Sequence, residues 1–423
     1  MLQPAYVREN QSEIAERLNK RNLPGAQIVE QIISLDNARK EAQIAFDNKQ
    51  SEYNQLSREI GELMKQGKKD EANQRREASI QMKELIKSLN DNMAQAEKEL
   101  FNYLTTIPNA PHISVPTGKS AEDNLTVKTV GEFPKLDENA LPHWELAAKY
   151  NLIDFELGVK VTGAGFPFYV NKGAKLQRAL INFFLNEAEK AGYTEYQAPL
   201  MVNADSGFGT GQLPDKEGQM YHATIDDLYL IPTAEVPLTN IYRDVILQEA
   251  QLPIKLTGYT PCFRREAGSY GKDVRGLNRL HQFDKVEIVQ IAHPDKSYEI
   301  LEEMVEHVGG LLSQLGLPYR LLKLCGGDMG FASALTYDFE TYSAAQGRWL
   351  EVSSTSCFET YQANRLKLRF KDAEGKTRLA HTLNGSALAL PRIVATLLEN
   401  NQTPEGIKIP ECLVPYTGFD MIK

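Results

Sequence analysis

The stretch "TPCFRREAGSYGKDVRGLNRLHQFDKVE", residues 260–287, has the pattern of two strands joined by a long loop. Arg264 and Arg265 stand beside Glu266, and residues that favour a turn follow them. A guanidinium group presents forked donors to phosphate oxygens and keeps its proton, so adjacent arginines on such an element suit a polyphosphate. A structural cluster of salt bridges is the alternative interpretation for this segment taken alone.

Residues around this element favour the polyphosphate interpretation. Phe283 supplies an aromatic ring on the strand predicted after the loop, and Glu287 falls near the same face by strand alternation. Glu351 and Ser354 of "LEVSS" form a hard-oxygen pair that could hold magnesium. Arg392 adds a further cation at the start of an apolar helix in "HTLNGSALALPR". Together these residues favour a polyphosphate site over a structural cluster of salt bridges.

Composition places the chain among globular proteins. It has 423 residues, 42% of them hydrophobic and 24% charged, so two or three domains are expected. No apolar run approaches the roughly 20 residues of a spanning helix. The N-terminal residues lack the apolar centre of a signal peptide, which predicts a cytoplasmic protein without membrane contact.

Net charge and cysteine content indicate which functional classes the sequence disfavours. The net charge of −9 argues against a generally basic surface that coats nucleic acid, although a local basic patch can still act over a short range. The cysteines show no two-residue spacing of a zinc or redox motif, so we expect reduced thiols and no structural zinc; they are Cys262, Cys325, Cys357 and Cys412.

Residues 28–107 have helical composition, without proline and with few glycines. Apolar residues recur on three- and four-residue steps in two runs, which predicts a heptad seam: Leu35, Ala42, Phe46, Tyr53, Leu56, Ile60 and Leu63, then Met82, Ile86, Leu89, Met93, Ala96, Leu100, Tyr103 and Ile107. The polar "KQGKKD" at residues 65–70 predicts a reversal between two helices of nearly equal length. The result is an antiparallel coiled-coil hairpin expected to project into solvent.

Two roles are open for this hairpin from its pattern. It could be a spacer or an oligomerisation device, or it could be an arm that grips a large anionic partner such as RNA. The second role is suggested by cations that crowd the tip and the start of the return helix, namely Lys65, Lys68, Lys69, Arg75, Arg76, Lys83 and Lys87.

The chain changes character at a linker that contains Pro108, Pro111 and Pro116, which predicts domains at residues 1–110 and 111–423. The second half reads as α+β. Its β-branched and aromatic runs with short connections are typical of antiparallel strands: "LYLIPTAEVPL", "IKLTGYTPCFR", "KVEIVQIA" and "YRLLKLCGG". Amphipathic helices are predicted over residues 173–190 and 295–315. No glycine signature opens a helix after a strand, so a Rossmann or P-loop site is disfavoured.

With these motifs, nearly the whole chain resembles bacterial-type seryl-tRNA synthetases, a family of class II aminoacyl-tRNA synthetases. "IPTAEVPLTN" resembles the serine-binding segment, residues 260–287 resemble motif 2, and "HTLNGSALALPRIVATLLEN" resembles motif 3. "LINFFLNEAEKAGYTEYQAPLMVN" resembles motif 1, which implies a homodimer interface. The implied fold is the helical hairpin followed by an antiparallel sheet flanked by helices.

The resemblance implies a role for each matching residue. It places the serine pocket at Thr233, Ala234, Glu235, Arg264, Glu287 and Ser386. It places the ATP site at Arg264, Arg265, Glu266, Arg279, Phe283, Glu351, Val352, Ser353, Ser354 and Arg392. Arg264, Glu266 and Arg392 would be the catalytic residues, and Glu351 with Ser354 would hold Mg²⁺ with ATP.

The implied reaction is an ATP-dependent ligation of L-serine to tRNA(Ser), and to tRNA(Sec) in hosts that have it. Arg265, the loop at residues 355–364, Ala387 and Pro391 depart from common family patterns, which leaves the roles of Arg265 and of that loop open. Two rival functions are a coiled-coil scaffold without catalysis and a related ligase that loads an amino acid onto a carrier protein. Relatives of the second kind lack the long N-terminal arm.

Overall fold

The structure is a computed structural model that describes residues 1–215, 217–266 and 275–423. The chain divides into two compact units. The first comprises Met1–Asn19 and Leu23–Pro108, and the second comprises Lys20–Asn22 and Asn109–Lys423. Among the described residues, no helix combines the length and the apolar character needed to cross a membrane.

The first unit is helical. Its elements are α1 (Pro4–Glu9), α2 (Gln11–Asn19), α3 (Gly25–Lys65) and α4 (Lys69–Thr106). The long helices α3 and α4 span 41 and 38 residues and pair as a hairpin. They reverse at residues 66–68, where Gly67 has a φ of +77° that favours glycine. The predicted reversal at residues 65–70 is confirmed.

The hairpin seam follows the predicted heptad positions. All of the apolar residues predicted for the seam are at least partly buried, while most of their neighbours are exposed. Asp36 of α3 is 2% exposed and bonds with Arg8, Arg39 and Lys40. Burial alone would raise the pKa of Asp36, but these cations lower it to about 2. The first unit therefore also contains a buried carboxylate with ion pairs in the N-terminal third of α3.

The second unit is α+β, as expected. Its helices are α5 (His143–Lys149), α6 (Phe155–Val161), α7 (Asn171–Lys190), α8 (Ala204–Thr210), α9 (Glu235–Asn240), α10 (Ser297–Gln314), α11 (Tyr361–Leu366), α12 (Leu390–Asn400) and α13 (Val414–Thr417). Short 3₁₀ turns lie at Ala121–Asp123, Glu249–Gln251, Pro294–Lys296 and Glu411–Leu413.

The strands form one large sheet and several small ones. They are β1 (Leu125–Val130), β2 (Ile153–Asp154), β3 (Phe168–Tyr169), β4 (Thr194–Glu195), β5 (Met201–Val202), β6 (His222–Ala223), β7 (Leu228–Leu230), β8 (Ile246–Gln248), β9 (Ile254–Phe263), β10 (Gln282–Ala292), β11 (Tyr319–Lys323), β12 (Leu335–Ser343), β13 (Arg348–Cys357), β14 (Arg369–Lys371), β15 (Thr377–Leu379), β16 (His381–Ala389), β17 (Gln402–Thr403), β18 (Gly406–Lys408) and β19 (Met421–Ile422).

The large sheet has the order β1-β11-β12-β13-β16-β10-β9-β4 among the described residues. Its neighbours are antiparallel except for the parallel pair β4–β9. The small sheets are β15-β14-β8, β17-β18-β19, β5-β7-β6 and β2-β3. The sheet confirms the antiparallel arrangement inferred from short strand connections.

The main core is formed by apolar faces of α7, α10 and α12 against the large sheet. Buried members include Phe184 of α7, Leu301 of α10, Ile393 of α12 and Phe339 of β12. Pro391 lies in the first turn of α12, where a missing N–H leaves no helical bond unmade. Because α12 begins directly after β16, Arg392 lies in the first turn of the helix, close to the end of that strand.

One predicted strand is largely wrong. In "LYLIPTAEVPL" only Leu228–Leu230 is a strand, and Glu235–Asn240 forms α9. Two prolines interrupt the run, and a proline cannot donate to a central strand ladder. This turn into α9 places Thr233 and Glu235 beside the sheet.

Candidate functional site

The register of β9, β10 and β16 gathers the candidate serine residues. Glu287 of β10 lies opposite Ser386 of β16 and Gly258 of β9. Phe283 and Glu287 point to the same face because strand side chains alternate with a period of two. Ser386 and Glu287 are both buried, with exposures of 8% and 1%. The two predicted partners of the serine hydroxyl are thus neighbours across the sheet.

A buried lysine completes this part of the site. Lys285 Nζ lies 2.5 Å from Glu287 Oε2 and donates a hydrogen bond of 2.8 Å to Thr233 Oγ1. Thr233 Oγ1 in turn donates to Glu287 Oε2 at 3.3 Å. Lys285 is not among the residues predicted from the sequence. It could have been predicted, because strand alternation places it on the same face of β10 as Phe283 and Glu287.

Glu235 lies in the same buried cluster. Gln362 of α11 donates to Glu235 Oε1 at 2.7 Å and to the carbonyl of Thr210 at 3.0 Å. Thr382 Oγ1 donates a hydrogen bond of 2.7 Å to the side-chain oxygen Oε1 of Gln362, which holds the amide in this orientation. Gln362 was also missed by the sequence reading, because α11 is far from Glu235 along the chain.

The carboxyl groups of this cluster have perturbed pKa values. Burial first and then the charge of Glu287 raise the pKa of Glu235, the hydrogen bond from Gln362 lowers it, and the resulting pKa is about 7. Burial also raises the pKa of Glu287, and Lys285 opposes that effect. Two buried carboxyl groups close enough to affect each other form a site that favours an additional cation.

Arg264 extends from the end of β9 over Phe283. Its guanidinium carbon lies 5.1 Å from the ring centroid, within cation–π range. Its Nε donates to the carbonyl of Pro232 at 3.3 Å, and its backbone N–H donates to the carbonyl of His281 at 2.9 Å. Arg264 therefore joins the segment that contains Thr233 to the strand that contains Phe283.

Four of the other predicted ATP residues contact one another in two pairs, Arg279 with Glu266 and Arg392 with Glu351. Arg279 Nε donates to Glu266 Oε2 at 2.5 Å, so these two residues contact each other. Arg392 donates from Nε to the carbonyl of Asn278 at 3.1 Å and from Nη1 to the carbonyl of Glu351 at 2.8 Å. Arg392 thus bridges the end of the motif 2 segment and β13.

Side-chain oxygen atoms that could bind a cation lie on β12 and β13. Ser354 Oγ donates to Asp338 Oδ1 at 2.6 Å, and the Glu351 side chain is exposed nearby along the strand. Burial raises the pKa of Asp338 well above its ordinary value, and the charge of Glu351 adds to this effect. A carboxylate pair with a hydroxyl is a donor set that magnesium accepts. Asp338 was missed by the sequence reading.

Four predicted site residues have side chains that are packed in apolar clusters, bonded to the backbone or exposed. The side chains of Ala234 and Val352 are buried in apolar clusters, and Ser353 Oγ donates to the carbonyl of Ser386 at 2.6 Å. Arg265 is exposed, and its backbone N–H donates to the carbonyl of Gln219 at 2.8 Å. The predicted motif 2 turn at residues 267–274 lies outside the described residues.

Comparison with known proteins defines the class. Residues 221–401 match the family model for the tRNA synthetase class II core domain (G, H, P, S and T). Residues 1–111 match the model for the seryl-tRNA synthetase N-terminal domain. The antiparallel sheet of the second unit, with its flanking helices, is therefore the core of a class II aminoacyl-tRNA synthetase.

Full-length relatives define the family. A serine–tRNA ligase of Salinibacter ruber is 52% identical over 424 residues, covering 100% of this chain and 99% of the relative. One from Akkermansia muciniphila is 48% identical, covering 100% and 99%. The crystal structure of a seryl-tRNA synthetase from Pyrococcus horikoshii complexed with ATP has a TM-score of 0.92 at 33% identity, covering 100% and 99%.

The chain belongs to the seryl-tRNA synthetase family. The predictions of this family, of its fold class and of an ATP-dependent serine–tRNA ligase are thereby confirmed.

Proposed function

We propose that the site described above activates L-serine with ATP and transfers it to tRNA in two steps. The serine carboxylate attacks the α-phosphorus of ATP, which forms seryl-adenylate and releases pyrophosphate. A ribose hydroxyl at the 3′ end of the tRNA then attacks the activated carbonyl carbon, which forms the seryl ester and releases AMP. The protein acts by positioning these reactants and by stabilising charge at phosphorus.

The buried pair of carboxyl groups, Glu235 and Glu287, is the observation that supports this proposal most strongly. Among the described residues, Lys285 lies at hydrogen-bonding distance from Glu287, and the charge of Arg264 acts on the same carboxyl group. A substrate ammonium group beside Glu235 and Thr233 would balance the second carboxylate and lower the raised pKa of Glu235. The α-ammonium of serine is such a cation.

Glu287 and Ser386 would bind the serine hydroxyl. Both are buried, so alanine or glycine in the pocket would leave polar groups unpaired, which can lower activity by about 10⁴-fold or more. Threonine would be excluded by the lack of room for its methyl group. This pairing supplies the specificity for a three-carbon hydroxy amino acid.

The ATP site would use the cations and the ring around β9, β10 and α12. Arg264 would bind the α-phosphate and the serine carboxylate, Phe283 would stack on adenine, and Glu266 would accept from the adenine amino group. Arg279 and Arg392 would bind the triphosphate. The Arg279–Glu266 pair would then separate when ATP binds, and the backbone of residues 351–354 would line the nucleotide.

The metal that accompanies ATP would be Mg²⁺ at Glu351 and Ser354, with Asp338 behind Ser354. A divalent ion bound there would neutralise phosphate charge. The donor set fits this ion because all of its side-chain ligands are oxygens. Asp338 holds the Ser354 hydroxyl in place through a hydrogen bond of 2.6 Å.

The helical hairpin would bind the partner RNA, tRNA(Ser), and tRNA(Sec) where the host has it. Support comes from the cations on the exposed surfaces of α3 and α4 near their turn. A salt-dependent contact with the phosphate backbone would follow from this charge. Shape recognition is how proteins commonly read double-stranded RNA.

Assembly as a cytoplasmic homodimer through the motif 1 region, residues 180–203, is also part of the proposal. Apolar side chains at the end of this region remain exposed in the single chain: Tyr196 at 37%, Leu200 at 36% and Met201 at 38%. A homodimer interface through this region would bury these side chains.

The test is serine-dependent exchange of pyrophosphate into ATP, followed by charging of total tRNA. Exchange should occur with serine and be at least about 10²-fold weaker with threonine, alanine or glycine. Charging should then yield seryl-tRNA. Exchange with another amino acid would refute the pocket assignment, and exchange without tRNA charging would favour a ligase that loads a carrier protein.

A further inference from the structure

His143 and Glu399 form a buried pair that the predicted site does not include. His143 begins α5 and Glu399 lies near the end of α12, and both side chains are 0% exposed. His143 Nδ1 lies 2.7 Å from Glu399 Oε1, which also accepts the backbone N–H of His143 at 2.9 Å. Ser343 Oγ donates to Oε2 of the same carboxylate. A charge this well supplied with donors can remain ionised when buried.

The hydrogen bonds determine the tautomer of His143. The backbone N–H of Leu277 donates to His143 Nε2 at 2.8 Å, so Nε2 carries no proton. The proton of the neutral ring therefore lies on Nδ1 and is donated to Glu399. Burial alone would raise the pKa of Glu399, but the hydrogen bonds from His143 and Ser343 lower it. The ring is a bridge of fixed orientation between α12 and the backbone at Leu277.

The segment held by this ring follows the predicted ATP-binding loop. Gly276 packs against the imidazole so closely that a Cβ there would lie 2.2 Å from His143 Nε2. Its φ of +66° also favours glycine. One residue earlier, the Arg275 guanidinium carbon lies 4.7 Å from the centroid of the Trp144 ring. The first two residues of α5 thus hold the chain at residues 275–277.

A second path from the same carboxylate leads to Asn278. Gln346 donates to Glu399 Oε1 at 2.9 Å, and its own Oε1 accepts from the side chain of Asn278 at 3.1 Å. The carbonyl of Asn278 accepts from Arg392 Nε at 3.1 Å. Both paths from Glu399 therefore converge beside the arginine assigned to the triphosphate.

We propose that His143 and Glu399 are positioning residues for ATP. They fix residues 275–278 and thereby aim the guanidinium of Arg392 at the triphosphate, without contacting the substrate themselves. This role rests on the proposed function, because it presumes that Arg392 binds ATP. It requires the acceptor at the Nε2 position of His143, not only a residue that fills the volume.

Two substitutions at His143 separate these requirements. His143→Asn places an amide near the Nδ1 position and can keep the bond to Glu399, but it offers nothing to the Leu277 N–H. His143→Gln reaches the Nε2 position and can accept that N–H. ATP binding should be measured by calorimetry, and the KM for ATP and for serine by pyrophosphate exchange.

His143→Asn should weaken ATP binding at least about tenfold, because a buried N–H loses its acceptor, while the KM for serine stays within about twofold. His143→Gln should remain within about threefold of the unsubstituted chain for both substrates. His307→Asn, the same change at a half-buried histidine of α10 that packs near Tyr193, is the matched control and should leave both constants unchanged.

Gln346→Leu provides a second variant in case His143→Asn does not fold. It interrupts the path through Asn278 at a half-buried position and should weaken ATP binding at least about threefold. Normal ATP binding in both His143→Asn and Gln346→Leu would overturn the positioning role. If His143→Asn and His143→Gln both weaken the binding of ATP and of serine by the same factor, the positioning role is also overturned, and His143 has a purely structural role. If the unsubstituted chain neither binds ATP nor exchanges pyrophosphate, the proposed function fails first.

Discussion

Replacing Lys285 by methionine would test the charge arrangement of the serine pocket. Lys285 and Glu287 are 6% and 1% exposed in their side chains and 2.5 Å apart. Methionine keeps the length of the side chain but removes its charge and its donor to Thr233. Removing one partner of a buried ion pair costs about 3–5 kcal/mol. With about 2–4 °C per kcal/mol for a large domain, the melting temperature at pH 8 should fall by about 6–20 °C.

The size of this loss should depend on pH. Burial raises the pKa of Glu287, and Lys285 opposes that rise, so the pKa must rise further in Lys285→Met. A carboxyl group whose pKa is higher in the folded than in the unfolded state stabilises the fold below its unfolded pKa. That stabilisation is lost as the pH rises through the folded pKa. The deficit of Lys285→Met relative to the unsubstituted chain should therefore shrink from pH 8 towards pH 5.

Differential scanning calorimetry of thermal unfolding at pH 5 and at pH 8 measures how the deficit in stability changes with pH. Lys255→Met on the neighbouring strand β9 is the matched control. Its cation lies 4.0 Å from the exposed Glu303, and such a pair contributes at most about 1 kcal/mol. A deficit in Lys285→Met that is absent, or equal at the two pH values, would refute the reasoning that Lys285 compensates a buried carboxylate.

Three further outcomes are expected. Arg264→Ala should lower serine-dependent exchange at least about 10²-fold, the scale of one lost electrostatic donor, and near-normal exchange would count against its assignment. Because the pKa of Glu235 is about 7, its carboxylate is protonated below that pH. The KM for serine should therefore rise as the pH falls below about 7, and Glu235→Gln should raise this constant and remove its dependence on pH; an unchanged profile in the variant would exclude Glu235 as the titrating group. Replacing residues 41 to 93 of the hairpin by a short linker should abolish tRNA charging but leave exchange largely intact; loss of both activities would indicate a structural role for the hairpin.

The hairpin was predictable in detail because its stability depends on a local period. Every residue predicted for the seam is at least partly buried, from Leu35 to Ile107. The reversal around Gly67 was marked by the loss of apolar periodicity. Residues three or four positions apart lie on the same face of a helix, so the sequence alone shows which residues share that face.

The second unit was predictable where β-branched and aromatic residues recur over the length of a strand, as in β9, β10 and β11. It was not predictable in residues 231–238, where apolar composition suggested a strand and the chain turns into α9. Prolines and neighbouring elements outweighed the β-propensity of that run, as tertiary context often does.

The sequence by itself determined the helical hairpin, the antiparallel class of the second unit and the chemical types of the candidate ligands. These properties depend on periodicity and on motifs of a few adjacent residues. Only the tertiary structure decided that Gln362 bonds with Glu235, that Asp338 holds Ser354 and that His143 bridges Glu399 and Leu277. Residues 277 and 399 lie far apart along the chain, and their contact through His143 follows from how the helices and strands pack together. No local pattern records that packing, because buried polar groups take whichever partners it brings within hydrogen-bonding distance.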